Sequence, residues 1–174
     1  MKIFETFPWA ATHEPVFAKD WKFDSFCKRF SDFAGLAQRM RDHLPAGYKH
    51  YLLDMMVHDC KPGVKTCGDV RWHFDGDYDG DNKYVLWVKG PNRTEFLEEI
   101  PEFSEVPEDR ESQNRFLEKT LAGAVVRTAP DQALIGYDSR VPHRGILCKD
   151  TGRRVFLRAM ATNYIKPKNI LREV

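Results

Sequence analysis

The sequence predicts a mainly β fold with an N-terminal helix, an α+β arrangement in which the helix packs against a β-sandwich or barrel. Two patterns lead to this prediction. Apolar residues recur at three- and four-residue steps between residues 24 and 44, which is the period of a helix. After residue 50, about seven or eight short segments rich in β-branched and aromatic residues alternate with glycine, proline and acidic turns, a texture typical of strands.

The N-terminal part, residues 1–45, is expected to be an arm and a helix that buttress the core. Residues 1–20 are predicted to be irregular, because Pro8 and Pro15 interrupt them. The helix is predicted from residue 24 to about residue 44, with basic residues near its C-terminal end, where cations favour the helix dipole.

Residues 50–165 are expected to form the β core of a single domain that spans residues 1–174. Within it, residues 91–123 are predicted to be a lid-like insertion, with an acidic, proline-containing loop at 98–113 and a short helix from Ser112 to Leu121. The predicted strands, in chain order, are Tyr51–Val57, Val70–Phe74, Lys83–Val88, Val125–Thr128, Ala133–Tyr137, Gly145–Cys148 and Val155–Tyr164.

Charge and hydropathy limit the classes of function. A formal net charge of +1 gives no electrostatic reason for tight binding to nucleic acid or an anionic membrane, although local basic residues keep nucleic acid open as a partner. No apolar run approaches the ~20 residues that span a bilayer. The first residues also lack the apolar segment of a signal peptide. We therefore expect a cytoplasmic protein that acts on a small molecule and does not contact a membrane.

The four cysteines are predicted to be free thiols. Cys27, Cys60, Cys67 and Cys148 show no Cys-x2-Cys spacing, so a structural zinc site is not expected. A chain without an export signal is expected in a reducing compartment, where disulfides are rare. A disulfide between Cys60 and Cys67 across a tight loop is the alternative.

A candidate metal site combines His73, Asp75 and His143. Positions i and i+2 of a strand lie on one face, so His73 and Asp75 at a strand end can point into the same cavity. His143 stands at the head of another apolar segment and can complete the set from a second strand. Two imidazoles and one carboxylate form the facial triad that holds Fe(II) and leaves positions open for a co-substrate and O2.

A candidate anion site follows on the segment from residue 152 to residue 160. Strand alternation places Arg154, Phe156, Arg158 and Met160 on one face. An arginine on an otherwise apolar, inward face needs an anionic partner, because burying a lone guanidinium is costly. The terminal carboxylate of a dicarboxylate, held by two parallel hydrogen bonds, would meet that need.

These residues resemble the Fe(II)/2-oxoglutarate-dependent dioxygenases. His73, Asp75 and His143 match the His-x-Asp and the distant His of the family motif. Arg154 or Arg158 matches the arginine that follows shortly after the second His. The two arginines four residues apart are most similar to the taurine dioxygenase-like branch, with the phytanoyl-CoA hydroxylase-like branch as the other candidate.

The resemblance covers about residues 51–165 and implies a double-stranded β-helix (jelly-roll) core. It also implies that His73, Asp75 and His143 bind Fe(II) and that 2-oxoglutarate and O2 are co-substrates. One arginine, Arg154 or else Arg158, would hold the far carboxylate of 2-oxoglutarate. Succinate and CO2 would form together with an oxidised, most simply hydroxylated, organic substrate.

Several further residues are candidates for contacts near the site. Tyr51 has a hydroxyl in a strand context and is a candidate to assist Arg154 at the carboxylate. Trp87 is a candidate substrate platform, with burial in the core as the competing interpretation. The remaining substrate candidates are Arg140 and Arg144, which flank His143, and Asp77 in the acidic turn.

Three competing interpretations remain. His73 and His143 could be ordinary, hydrogen-bonded histidines. The turn that begins Asp75-Gly76-Asp77 matches the first half of a calcium-binding loop, but its twelfth position is Leu86 and lacks the bidentate glutamate. A non-catalytic jelly-roll or cupin-like binding module would keep the cavity, and even a metal, without turnover.

Overall fold

The computed structural model describes residues 1–67, 69–76, 78, 80–164 and 170–173. The helices are α1 (Phe23–Arg29), the 3-10 turn Ser31–Phe33, α2 (Ala34–Asp42) and α3 (Arg110–Thr120). The strands are β1 (Lys2–Thr6), β2 (Val16–Lys22), β3 (His50–Cys60), β4 (Lys83–Lys89), β5 (Glu95–Leu97), β6 (Val126–Thr128), β7 (Ala133–Asp138), β8 (His143–Arg144), β9 (Gly152–Thr162) and β10 (Ile170–Glu173).

The strands form two antiparallel sheets. The larger sheet has seven strands in the order β1-β7-β4-β9-β3-β2-β10, and the smaller has three in the order β6-β5-β8. The two longest strands, β3 and β9, pair along their whole length at the centre of the larger sheet. The protein is therefore mostly β with few helices, as predicted, and its architecture is that of a β-sandwich or jelly-roll-like fold.

The two faces of the larger sheet have different neighbours. On one face, Val155, Leu157 and Ala159 of β9 pack with apolar side chains of α1 and α2, Phe26 and Leu36 among them. Each fully buried Val, Leu or Phe side chain contributes about 1.5–3 kcal/mol to folding. The opposite face turns Phe156 and Met160 toward the smaller sheet. The predicted alternation along β9 is confirmed, and it sets Arg154 and Arg158 on the face away from the helices.

The N-terminal region differs from the prediction in two ways. Residues 1–20 are not an irregular arm, because β1 pairs with β7 and β2 pairs with β3. The predicted long helix is interrupted at Phe30, whose φ of −118° and ψ of 59° are not helical. The Phe30 ring packs edge-on against Trp21 and His13, and these contacts hold the side chain in the core at the break.

Two of the predicted strands near the site are shorter than expected. Val70–Phe74 contributes a single bridge, His73 to His143, and Gly145–Cys148 contributes one bridge through Leu147. In the smaller sheet, the strand that pairs with β5 on this side is β8. Both segments are held by isolated backbone bridges, so strand propensity alone does not predict their short length.

Residues 91–123 lie against the segment that carries the first histidine. This range contains β5 and α3, and Leu117 of α3 packs with Trp72 and Phe74. The side chain of Asp109 caps α3 by accepting a hydrogen bond from Ser112 N at 2.9 Å. A lid role for the range stays a prediction. Among the residues described, no helix combines the length and apolar character of a membrane span.

Candidate metal centre and anion site

The structure brings the three predicted metal ligands together. One ligand atom from each of His73, Asp75 and His143 lies within 4.8 Å of the others. The two histidines face each other across a pair of backbone hydrogen bonds of 3.0 Å, and Asp75 follows two residues after the first. His143 Nε2 is 3.0 Å from Asp75 Oδ2. The set therefore comes from two neighbouring segments, as the alternation argument predicts.

Backbone carbonyl groups orient both imidazole rings. His73 Nδ1 is 2.8 Å from the carbonyl oxygen of Arg71, and His143 Nδ1 is 3.1 Å from that of Val141. A ring nitrogen that faces a carbonyl oxygen carries a proton, so Nε2 of His73 keeps its lone pair; Nε2 of His143 contacts the Asp75 carboxylate at 3.0 Å and would exchange that contact for a bound metal. This is how metal-binding histidines are held in place.

The charge state of the site also suits a divalent cation. Burial and the neighbouring His143 lower the pKa of His73 to about 4, so its ring is neutral at physiological pH. Burial opposes ionisation of Asp75, but Arg158 and His143 outweigh it and hold the pKa of Asp75 well below its usual range. Two imidazoles and one carboxylate are the donor set of a non-haem Fe(II) site.

The interatomic distances fit a first-row metal. With ligand bonds of about 2.1 Å, two ligands at a right angle are about 3.0 Å apart. The separation of His143 Nε2 from Asp75 Oδ2 is 3.0 Å. The ligand atoms of Asp75 and His143 are therefore spaced like two adjacent ligands of an octahedral ion.

Acidification is expected to destabilise the metal-free protein between about pH 6.5 and pH 4. The pKa of His73 falls from 6.5 to about 4 on folding, so the unfolded chain binds the proton first. Stability from the neutral ring is complete above pH 6.5 and is lost as the pH falls through 4, about 3 kcal/mol in all. Urea unfolding with a chelator at a series of pH values measures this loss. His73→Gln should reduce the pH slope, and a slope identical to that of a His50→Gln control would contradict the account.

Asp75 has two partners that sequence reasoning did not find. Tyr137 donates a hydrogen bond from its hydroxyl to Asp75 Oδ2 at 2.8 Å, and Arg158 Nη1 lies 2.5 Å from the same oxygen. Arg158 also pairs with Asp54, with a distance of 3.1 Å from Nε to Oδ2. The charge of Arg158 is therefore already balanced by two carboxylates. The sequence signal for this pairing is Asp54, an aspartate inside the apolar strand β3, since a buried carboxylate needs a cationic partner.

Arg154 has a different environment. Its side chain is 1% exposed, and among the described residues it forms no ion pair with a carboxylate. Nη1 donates to the carbonyl oxygen of Thr66 at 3.3 Å and Nη2 to Thr94 Oγ1 at 3.4 Å, while Nε has no partner. Burial lowers the pKa of Arg154 to about 10, which still leaves it charged at neutral pH. Arg154 is thus a buried cation with unused donors.

Arg154 and the two histidines line the same cavity. Its volume is about 260 Å³, and its lining includes His73, His143, Thr94, Arg154 and Arg158. The apolar part of the cavity wall is formed by Phe17, Met55, Met56 and Phe156. A small dicarboxylic acid placed here would face the metal ligands and the free donors of Arg154 at once.

Two candidate residues lie elsewhere, which corrects the prediction. Tyr51 donates its hydroxyl to the carbonyl oxygen of Pro45 at 3.0 Å and stacks on Arg41. It pairs with Ala161, seven residues along β9 from Arg154, too far to share a carboxylate. Trp87 is fully buried on the helix side of the sheet and donates from Nε1 to the carbonyl oxygen of Phe7 at 3.0 Å. The strand register turns it away from the cavity.

The remaining candidates lie around the centre. Arg144 Nε is 2.8 Å from Glu95 Oε2, and its guanidinium lies over Trp72. Arg140 is exposed beside the ring of Tyr78. Neither arginine lines the cavity, and their contact with a substrate stays a prediction. Asp77 lies outside the described residues.

The cysteines are free thiols, as predicted. Cys67 lines the cavity, and its thiol lies 2.7 Å from the carbonyl oxygen of Asp69. The alternative pairing of Cys60 with Cys67 is not formed.

Comparison with known proteins places the fold. No protein-family model matches this chain, and no curated protein matches it. The crystal structure of EvdO2 from Micromonospora carbonacea var. aurantiaca is similar with a TM-score of 0.50 and 15% identity, over 92% of this chain and 69% of that chain. AviO1 from Streptomyces viridochromogenes Tue57 gives a TM-score of 0.49 and 15% identity, over 94% of this chain and 75% of that chain.

A second crystal structure of EvdO2, complexed with 2-oxoglutarate, gives a TM-score of 0.44 and 14% identity, over 92% of this chain and 69% of that chain. At such identities the similarity concerns the fold alone. The EvdO2 structure with a TM-score of 0.50 agrees with the mostly antiparallel, jelly-roll-like architecture described above.

Proposed function

We propose that this protein is an Fe(II)- and 2-oxoglutarate-dependent oxygenase that hydroxylates a small or medium-sized organic molecule. One observation carries the proposal: the two histidines of a His-Asp-His cluster line a cavity of about 260 Å³ together with a buried arginine that has no carboxylate partner among the described residues. The triad alone would suit several divalent metals. The combination with an unpaired buried cation favours a metal that works with an anionic co-substrate.

His73, Asp75 and His143 would hold the iron. Fe(II) bound there supplies the redox chemistry, in which O2 and 2-oxoglutarate give succinate, CO2 and the oxidised substrate. The hydrogen bonds to the carbonyl oxygens of Arg71 and Val141 keep each Nε2 directed at the metal position. Tyr137 and Arg158 hold the Asp75 carboxylate in place, and the charge of Arg158 helps to keep it ionised.

Arg154 would bind the C5 carboxylate of 2-oxoglutarate. Leaving a guanidinium buried and unpaired costs several kcal/mol, and an incoming carboxylate removes that cost while making charge-assisted hydrogen bonds. Thr94 Oγ1 lies 3.4 Å from Arg154 Nη2 and can donate to the same carboxylate. Arg158, the alternative suggested by the sequence, is already paired with Asp54 and Asp75.

The apolar wall of the cavity would exclude water from the reacting centre. Phe156 and Met56 line the same cavity as the arginine and the histidines. A water-poor cavity strengthens the ionic contact to the co-substrate. EvdO2, which has a similar fold, is a protein known in complex with 2-oxoglutarate, and the present proposal extends that co-substrate to this chain.

The proposal is tested in two stages on the purified protein. Under anaerobic conditions, Fe(II) and 2-oxoglutarate together should give a visible charge-transfer band that neither gives alone, which requires no knowledge of the substrate. Admitting O2 should then yield succinate. A binding module would show no succinate in this second stage. Absence of the band, with Fe(II) and 2-oxoglutarate both saturating, would overturn the proposal.

A further inference from the structure

A second buried cluster of metal-binding groups lies beside β3. It consists of His58 and Cys60 at the end of that strand and Cys148 in the loop before β9. One ligand atom from each lies within 4.8 Å of the others, and the residues are 8%, 0% and 3% exposed. We propose that this cluster binds Zn(II), as a site separate from the His73 centre. The inference does not rest on the proposed oxygenase activity.

The fold explains how three distant residues converge. His58 and Cys60 are two apart on one strand and therefore share a face. Cys148 is fixed by two backbone hydrogen bonds, from its N–H to the carbonyl oxygen of Val64 at 2.7 Å and from Gly63 N–H to its own carbonyl oxygen at 2.9 Å. The ligands thus lie on a paired strand and on a loop tied to the turn that follows it.

The distance between donors matches tetrahedral zinc. Bonds of about 2.3 Å to sulfur and 2.0–2.1 Å to nitrogen, at a tetrahedral angle, place the two atoms about 3.6 Å apart. His58 Nε2 and Cys60 Sγ are 3.5 Å apart. The other ring nitrogen, His58 Nδ1, is buried and has no hydrogen-bond partner among the described residues. In the metal-free protein Cys60 Sγ and His58 Nε2 are within hydrogen-bond distance, and Zn(II) would take the place of that contact.

Metal binding at this cluster requires a neutral histidine ring and the loss of the thiol protons. Burial and the charge of Arg154 lower the pKa of His58 to about 4, so the ring is neutral and able to bind a metal. Burial and the hydrogen bond with Cys148 raise the pKa of Cys60 to about 11, so the metal-free thiol is protonated. A side-chain hydrogen bond from Asn92 and the charge of Arg154 act the other way and favour the thiolate.

The proton balance of binding is simple. Zn(II) displaces one proton from each of the two thiols, and the resulting unit of one Zn(II) and two thiolates carries no net charge. A neutral unit adds no cation next to the buried guanidinium of Arg154. The third bond goes to the neutral His58 ring, and the fourth tetrahedral position is left for water or another ligand. The site is therefore compatible with its charged neighbour.

Cobalt substitution tests the site, because the His73 centre contains no sulfur. The protein is produced in cobalt-supplemented medium under reducing conditions as the His73→Ala variant, which removes that centre. We expect about one equivalent of Co(II) per chain with sulfur-to-cobalt charge-transfer absorption in the near ultraviolet. Cys60→Ser or Cys148→Ser in this background should lower the absorption at least tenfold, and Cys27→Ser should leave it unchanged.

Absence of the sulfur-to-cobalt band, or its survival in both serine variants, would overturn the inference. A disulfide between the two cysteines in place of bound metal would also overturn it. If the serine variants do not fold, zinc X-ray absorption of the parent protein decides the question. Sulfur neighbours at about 2.3 Å support the site, and a shell of nitrogen and oxygen alone contradicts it. Either result leaves the Fe(II) and 2-oxoglutarate test at the His73 centre unaffected.

Discussion

Replacing His73 with alanine is expected to abolish Fe(II)-dependent formation of succinate and to weaken metal binding at least about 100-fold. Losses of about 10- to 100-fold already follow from disturbing groups that only orient a ligand, so removal of a ligand should cost more. The ring is buried and opposes His143 across a pair of backbone hydrogen bonds, so no other described histidine can take its place. Anaerobic titration with Fe(II) and mass-spectrometric detection of succinate measure the two effects.

The matched control is His50→Ala, on β3 but outside the cavity lining. This variant should keep the metal affinity and the succinate yield of the parent. Circular dichroism of both variants separates loss of the ligand from loss of the fold. Undiminished succinate formation by His73→Ala would show that His73 is not a ligand of the metal.

Replacing Arg154 with methionine should raise the KM for 2-oxoglutarate about 100-fold or more without destabilising the metal-free protein. The lost interaction is a desolvated contact between opposite charges, which is worth about 2–5 kcal/mol. The metal-free fold loses only a buried cation that has no carboxylate partner in the described part of the chain, so its free energy of unfolding should be unchanged or higher. Steady-state kinetics and urea unfolding with a chelator measure the two quantities.

The informative comparison is Arg158→Met, four residues along the same face of β9. This change leaves Asp54 and Asp75 without their shared cation. Breaking such a pair costs about 3–5 kcal/mol when it is fully buried, and we expect about 3 kcal/mol here because the Arg158 side chain is 17% exposed. The opposite pattern, with Arg154→Met unfolding the protein and Arg158→Met raising the KM, would exchange the assigned roles.

The central strands and the placement of His73 close to Asp75 follow from local sequence pattern, and the role of these residues as metal ligands stays a prediction. His73 and Asp75 are two residues apart at a strand end, and the structure places both beside His143. The alternation along β9 likewise predicts that Arg154 and Arg158 share a face. These predictions succeed because strand periodicity depends only on neighbouring residues.

What the sequence does not reveal depends on pairing between distant residues. Arg154 and Arg158 are equivalent by pattern, and only the register of β3 against β9 sets Asp54 opposite the second of them. The same limit applies to β1, which looks irregular alone but pairs with β7 near Gly136. Trp87 fails as a substrate candidate because its face of β4 is decided by the sheet around it.

The second cluster shows the same limit for metal sites. Cys60 and Cys148 have no spacing that identifies zinc in a sequence. The backbone contacts between Cys148 and the turn after β3 bring them together. Recognition motifs depend on ligands that are close along the chain, so sites assembled from a strand and a remote loop become visible only in three dimensions.

An anaerobic crystal structure with Mn(II) and 2-oxoglutarate tests the central claim most directly. Mn(II) replaces Fe(II) without turnover and reveals the ligands and the co-substrate together. The account predicts Mn(II) bound by His73, Asp75 and His143, with the C5 carboxylate of 2-oxoglutarate on Arg154. Mn(II) bound elsewhere, or a co-substrate carboxylate that bypasses Arg154, would contradict it.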